Sequence, residues 1–159
     1  MSLKPLIRKA NEQDLNAIVN LLVRNKRLNE EFDPMLTVTD QIEEVAREYV
    51  SEALKDRNSL VLVCEEGGKV VGFLKADVID RLFYEPRKEG VIREFYLLPE
   101  FRRRGIGRIM VERAYEELRS MGAGIITAEF PSQHKIAVSF YENLGFRPII
   151  SKYAKEVTR

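Results

Sequence analysis

The chain has 159 residues, and 26 Lys and Arg against 25 Asp and Glu give a formal net charge of +1 with a single His. That length suits one domain spanning residues 1–159 with a real core, and the balanced charge gives no electrostatic case for nucleic acid or an anionic membrane. The lone cysteine, Cys64, excludes an internal disulfide or a cysteine-rich metal site, while the lack of a ~20-residue apolar run and of a leader-type apolar stretch makes a cytoplasmic protein the expectation.

Leu6 to Lys9 reads as a first strand. Asn11 then caps a helix, with Asp14 as its capping partner and Leu15, Ile18, Val19 and Leu22 as the apolar stripe. The helix frays near Asn29 into a polar stretch, Leu28 to Val38, holding Glu30, Glu31, Asp33 and Pro34. Thr39 is placed to cap a second helix, whose stripe is Ile42, Val45, Ala46, Tyr49, Val50 and Ala53. Leu60 to Cys64 and Val70 to Val78, joined by Glu65-Glu66-Gly67-Gly68, form a β-hairpin. A charged loop, Asp80 to Glu89, carries Tyr84 and Pro86, and Gly90 opens a central strand. Gly124 to Phe130 is a further strand, and Ser132-Gln133-His134 leads a short helix that Gly145 stops. Phe146 to Val157 supplies one or two final strands. Strands and helices in this order imply a mixed α/β sheet.

The most informative stretch runs from Arg93 to Met110. Phe95 to Leu98 are large and apolar, as a buried strand requires, and Pro99 ends the strand because it cannot donate to the ladder. Arg102, Arg103, Arg104, Gly105 and Gly107 follow, and Ile106, Ile109, Met110, Ala114 and Leu118 then recur at helical spacing up to a stop at Gly122. A helix start offers unpaired N–H groups and the positive end of the dipole, and glycines let a ligand approach the backbone. Such a turn suits a phosphate or pyrophosphate. It is not a dinucleotide fingerprint, since Met110 stands where a third glycine is needed, and no Gly-Lys-Ser/Thr follows as a P-loop requires.

Pro99 to Gly107 resembles the acetyl-CoA-binding segment of the GNAT (Gcn5-related N-acetyltransferase) superfamily, Arg/Gln-x-x-Gly-x-Gly/Ala, with Arg102, Gly105 and Gly107 at the defining positions. Downstream, Ala137 to Phe146 is similar to the family's A-x-x-x-Y-x-x-x-G-F block. The resemblance implies an α/β (α+β) fold with a GNAT-like mixed, mostly antiparallel six- to seven-stranded sheet flanked by about four helices. It implies acetyl-CoA as cosubstrate, an amine acceptor, no metal, and a monomer or homodimer.

On that resemblance, Tyr141 is the acid beside the thioester sulfur. Two carboxylates that interrupt apolar strands, Glu129 and Glu94, are the candidate bases, with Glu129 slightly ahead because the ribosomal-protein alanine N-acetyltransferase branch looks similar there. Without the resemblance, Tyr141 reads as a core aromatic and each glutamate as one half of a salt bridge. The central-strand backbone at Phe95, Tyr96 and Leu97 would contact the thioester carbonyl and the pantetheine arm. The loop Arg102, Arg103, Arg104, Gly105, Ile106, Gly107 and Arg108 would hold the pyrophosphate. His134 stands where the family commonly has an Asn contacting CoA, and reads either as a CoA contact or as a polar helix-start residue. Glu30, Glu31 and Asp33 could attract a cationic acceptor, with Tyr84 as an opposite wall. A small-amine acetyltransferase, a protein acetyltransferase and a non-catalytic acyl-CoA sensor are all compatible with these residues.

Overall fold

The computed structural model describes residues 5–158. Its elements are β1 (Leu6–Lys9), α1 (Leu15–Glu30), α2 (Ile42–Lys55), β2 (Ser59–Glu66), β3 (Lys69–Asp80), β4 (Lys88–Leu97), α3 (Ile106–Ser120), β5 (Ile125–Ala128) and α4 (Lys135–Asn143). The five strands form one sheet in the order β1-β2-β3-β4-β5. All neighbours are antiparallel except β4 and β5, which run parallel with Glu89 to Ile92 beside Ile125 to Ala128.

Local chemistry sets most boundaries. The Asn11 side chain accepts from the Gln13 N–H, and the Asn11 N–H donates to Asp14, so a capped turn at Glu12–Asp14 feeds α1. The helix then buries Ile18, Val19 and Leu22 on its stripe. Gly67 and Gly68 both take positive φ, which only glycine adopts cheaply, and this lets β2 reverse into β3. Leu62, Leu74, Met110 and Leu118 are fully occluded in the layer between sheet and helices.

Four expectations are corrected. Thr39 lies in a turn ahead of α2, which starts at Ile42 after Gln41. Val45 and Ile109 are about half exposed, at 51% and 52%, because each sits at the margin of its helix's buried face. The strand expected over Gly124 to Phe130 is only Ile125–Ala128, since β4 and the chain after β5 part company beyond Ile92. The final strands over Phe146 to Val157 do not form, so the sheet has five strands rather than six or seven. Pro148 lacks a donor, no strand among the described residues pairs with the segment, and residues 147–158 are exposed throughout.

The feature that positions the site is a β-bulge in β4. Lys75 pairs with Glu94, but the next residue, Ala76, pairs with Ile92, so Arg93 is an extra residue. The strand bends there, at the last rung shared with β5. The Glu129 N–H donates to the Ile92 carbonyl at 3.0 Å, and past this bond the two chains diverge. A cleft opens between Arg93–Leu97 and the segment after Glu129.

Candidate active site

Glu94 follows the bulge and faces α1 and α2. Its side chain is only 7% exposed. It forms an ion pair with Lys26 of α1 and accepts a hydrogen bond from the Tyr49 hydroxyl of α2 at 3.0 Å. Burial, then the Glu94 charge, pushes the Tyr49 phenol far above its ordinary range, so it stays a donor. The Lys75 ammonium lies 4.5 Å from the centre of the Tyr49 ring and 2.7 Å from Asp77. Burial alone would raise the Asp77 carboxyl, but hydrogen bonds from Lys75, Ser59 and Arg93 outweigh it and hold the group below the usual carboxylate range.

Arg93 joins Asp77 at 2.8 Å to Glu129 at 3.1 Å. The Glu129 side chain is 63% exposed, in contrast to Glu94. Both candidate bases thus border the cleft and belong to one chain of polar contacts, as the salt-bridge reading of the sequence required, with Arg93 as the partner of Glu129.

The opposite face of β4 belongs to aromatic residues. Phe95 packs on Phe140 of α4 with ring centres 5.8 Å apart, and both rings flank the α-carbon of Gly107. Tyr141 is 6% exposed, stacked on Phe130 at 5.1 Å and edge-on to Phe140 and Phe146. Burial pushes its phenol well above the ordinary value, so it holds its proton at neutral pH. Among the described residues its hydroxyl has no hydrogen-bond partner, yet no fully occluded side-chain N or O atom is left unpaired. The hydroxyl oxygen therefore keeps access to solvent. Glu94 and Tyr141 approach the cleft from opposite faces of the sheet.

The loop from Arg102 to Gly107 has the form the sequence predicts. Arg103 and Gly105 take positive φ, at 61° and 78°, and Gly105 ends the loop as the N-cap of α3 without a side-chain cap. The first helical bond at this end is from the Ile109 N–H to the Gly105 carbonyl. The N–H groups of Ile106, Gly107 and Arg108 thus have no partner within the helix. The arginines divide their work. Arg102 donates from Nε to the Leu97 carbonyl at 2.8 Å and lies over the Tyr96 ring, tying the loop to the end of β4. Arg104 pairs with Glu66 at 3.0 Å, and Arg108 with Glu112 at 2.9 Å. Arg103 is exposed and has no carboxylate partner among the described residues. A cradle of free N–H groups with an uncommitted guanidinium fits the pyrophosphate of a CoA thioester.

His134 caps α4, its Nδ1 accepting from the Ala137 N–H at 3.3 Å, which puts the ring hydrogen on Nε2. Its ring stacks on Phe32 at 4.3 Å. Burial, then the nearby Arg102 charge, lowers its pKa from the ordinary 6.5. Of the acidic residues read as acceptor contacts, Glu30 ends α1, Glu31 follows it, and Asp33 caps the turn Pro34–Leu36 by accepting from the Met35 N–H at 2.8 Å. The Phe32 stack brings this segment beside His134 and Arg102. Tyr84 is elsewhere: it lies in the loop ahead of β4 under Arg81. The start of β4 is about 20 Å along the strand from Glu94, at about 3.3 Å per residue.

Three further residues belong to the site. Lys26 and Tyr49 hold Glu94, and Asn25 donates to the Phe95 carbonyl at 3.4 Å. Asn25 and Lys26 stand three and four residues after Leu22, where the α1 stripe calls for apolar side chains, and that interruption was the available signal. Tyr49 gave none, since an aromatic residue in a helix stripe reads as core. No group of three or more His, Cys, Asp or Glu able to hold a metal occurs among the described residues.

A bent, parted strand pair, an N–H cradle at the head of α3 and an aromatic helix over the gap are the features of an acyl-CoA acyltransferase fold. The chain belongs to the acetyltransferase (GNAT) family, whose model matches residues 15–146. An uncharacterized N-acetyltransferase of Methanocaldococcus jannaschii is 32% identical over 116 residues, covering 72% of this chain and 51% of that protein, so the chain spans about half the length of this relative. The L-amino acid N-acyltransferase of Escherichia coli is 30% identical over 86 residues, 54% of this chain and 49% of that one. A crystal structure from Bacillus halodurans, described as a transcriptional regulator, superposes with a TM-score of 0.78 at 26% identity, covering 97% of this chain and 100% of that one.

Proposed function

We propose that this protein moves an acetyl group from acetyl-CoA to the primary amine of a small molecule. The observation that carries the proposal is the parting of β4 and β5 at the Arg93 bulge, with Glu94 on one face of the gap and Tyr141 on the other. Two cosubstrates arriving from opposite faces can meet through the gap.

Arg103 and the N–H groups from Ile106 to Arg108 would hold the pyrophosphate. The cosubstrate supplies an activated acetyl carbonyl. An alkylammonium has a pKa near about 10.4 and must lose a proton to attack. Glu94 takes that proton, directly or through a water, and Lys26 and Tyr49 keep its carboxylate aimed. A backbone N–H of the bent strand at Phe95 to Leu97 stabilises charge developing on the carbonyl oxygen. Tyr141 supplies a proton to the departing sulfur. Glu129, exposed and paired with Arg93, is the alternative base.

A hollow of about 370 Å³ beside the site supports a small acceptor. Tyr49, Lys75 and Asp77 line it, and Tyr49 also binds Glu94. Its size falls at the low end of the ~300–1,000 Å³ range of small-molecule sites. The Escherichia coli relative acts on amino acids by its name, which makes amino acids the first acceptors to try. A second reading, an acyl-CoA-responsive regulator without turnover, has the Bacillus halodurans neighbour in its favour.

The test is thiol release from acetyl-CoA with amino acids, polyamines, aminoglycosides and short peptides as acceptors. Turnover is expected with a small amine. It should fall by about 10²–10⁴ in Tyr141→Phe and in Glu94→Gln, and persist in Glu129→Gln. The reverse pattern in the two glutamate variants would move the base to Glu129. Full activity in both would remove carboxylate base catalysis altogether. Acetyl-CoA binding without release for any acceptor would favour the regulator.

A further inference from the structure

The end of β4 that borders the gap carries backbone donors and acceptors, and the two kinds are treated differently. In an antiparallel pair, alternate residues turn both their N–H and their C=O toward the partner strand. The Leu98 N–H donates to the Val71 carbonyl of β3 at 2.9 Å, and Tyr96 stands opposite Phe73 in the same register. Phe95 and Leu97 therefore turn their N–H and C=O groups the other way. That is the side β5 has left, since its pairing with β4 ends at Ile92.

Both carbonyls on this side are occupied. The Arg102 Nε donates to that of Leu97 at 2.8 Å, and the Asn25 Nδ2 donates to that of Phe95 at 3.4 Å. The N–H groups of Phe95 and Leu97 have no acceptor among the described residues. The rim of the gap thus offers donors only. Asn25 is 9% exposed and continues the α1 stripe of Ile18 and Leu22. An amide buried at such a position is costly unless it is paired. A carbonyl can only accept, so the amide must turn its NH2 group toward Phe95.

Negative charge develops on the thioester oxygen as an amine attacks, and N–H donors aimed at it lower the barrier. A bare carbonyl on the same rim would act against this in two ways. It would repel the developing charge, and it would offer an acceptor to the ammonium, holding the acceptor amine in its unreactive form. A donor placed on that carbonyl removes both effects.

We infer that Asn25 is a positioning residue for acyl transfer: it caps the Phe95 carbonyl from α1 and, with Arg102 at Leu97, leaves the gap with N–H donors alone. The inference rests on the acyl-transfer reading of the site.

Two variants test it in the full chain. Asn25→Leu has nearly the same size, continues the apolar stripe and removes the donor. Asn25→Asp keeps the shape and puts an acceptor where the donor stood. In Asn25→Leu the melting temperature should stay within a few degrees of wild type and KM for acetyl-CoA should hold, while kcat falls about tenfold. That is less than the about 10²–10³ lost with an oxyanion donor itself. Asn25→Asp should lose at least as much. A second readout needs no acceptor: infrared difference spectra of bound acetyl-CoA labelled with carbon-13 at the acetyl carbonyl. In wild type the stretch should lie below that of free acetyl-CoA, and in both variants it should move back toward the free value. That pattern supports the role of Asn25 even where no amine is turned over, in which case only the proposed reaction fails. The same stretch in wild type and both variants overturns the inference and leaves the reaction standing. So does unchanged kcat in Asn25→Leu, or a kcat loss that merely follows a lower melting temperature. A wild type that does not bind acetyl-CoA overturns both.

Discussion

The Lys26–Glu94 ion pair should be far less symmetric than its geometry suggests. The Glu94 side chain is 7% exposed and that of Lys26 is 34% exposed. In Glu94→Gln the Tyr49 hydroxyl can still donate to the amide oxygen, and Lys26 can swing its ammonium into water. The loss should be close to one hydrogen bond, about 1 kcal/mol. In Lys26→Met the carboxylate stays buried with a single phenol donor, and an uncompensated buried charge costs about 3–5 kcal/mol. At about 2–4 °C per kcal/mol for a chain of this size, the methionine variant should melt about 6–20 °C below wild type, and the glutamine variant only a few degrees below it. The double variant Lys26→Met/Glu94→Gln should recover most of the methionine loss, because the stranded charge is gone. Thermal and urea unfolding followed by circular dichroism are the assays, since the chain has no Trp to report by fluorescence. Equal losses in the two single variants, or a double variant as unstable as their sum, would refute this account of Glu94 as a buried, twice-held carboxylate. The same series shows whether lost turnover in Glu94→Gln reflects chemistry or folding.

Four other outcomes are expected. Gly105→Ala should cost about 1–2 kcal/mol in thermal unfolding, since φ is 78° there and nothing crowds the site, while Gly105→Asn should cost clearly less. Gly107→Ala instead meets the Phe140 ring at 3.3 Å, so its cost should shrink when Phe140 is trimmed to Leu. His134 has a folded pKa below its ordinary 6.5, so the native state favours the neutral ring. Its contribution is fully present above the ordinary value and is lost as pH falls from there towards the lowered one. His134→Asn, which keeps a capping acceptor, should flatten the melting temperature between about pH 7.5 and about pH 5.5. Cys64 is fully buried, and burial raises its thiol to about 11. Maleimide should not label it until urea unfolds the chain, as mass spectrometry will report.

The sequence showed the loop and the aromatic block plainly because each rests on local requirements. Gly105 is needed for a left-handed turn, Pro99 ends a strand, and Gly145 takes positive φ after α4. The same holds for the hairpin and for the Asn11–Asp14 cap. What stayed hidden depends on pairing across long separations. Nothing near Arg93 announces that it will be an extra residue, because a bulge exists only relative to the partner strand. Tyr49 reads as core because the carboxylate it serves is 45 residues away. The segment after Phe146 has strand-forming residues, but β-forming residues make a strand only when they pair with another strand, and among the described residues this segment pairs with none.

The bulge has one more consequence. Val91 and Glu94 share a face of β4 although they are three residues apart, and so do Ile92 and Phe95, because Arg93 is the surplus. Deleting Arg93 would leave every other side chain of the strand facing as it does now. The result would be a regular ladder, free of the irregularity, that continues straight alongside its neighbour. Such a chain should be at least as good a sheet, and it would have no doorway through which an amine on one side could reach a thioester on the other. On the proposed reaction, the passage between the two faces of the sheet thus rests on one surplus residue of the strand.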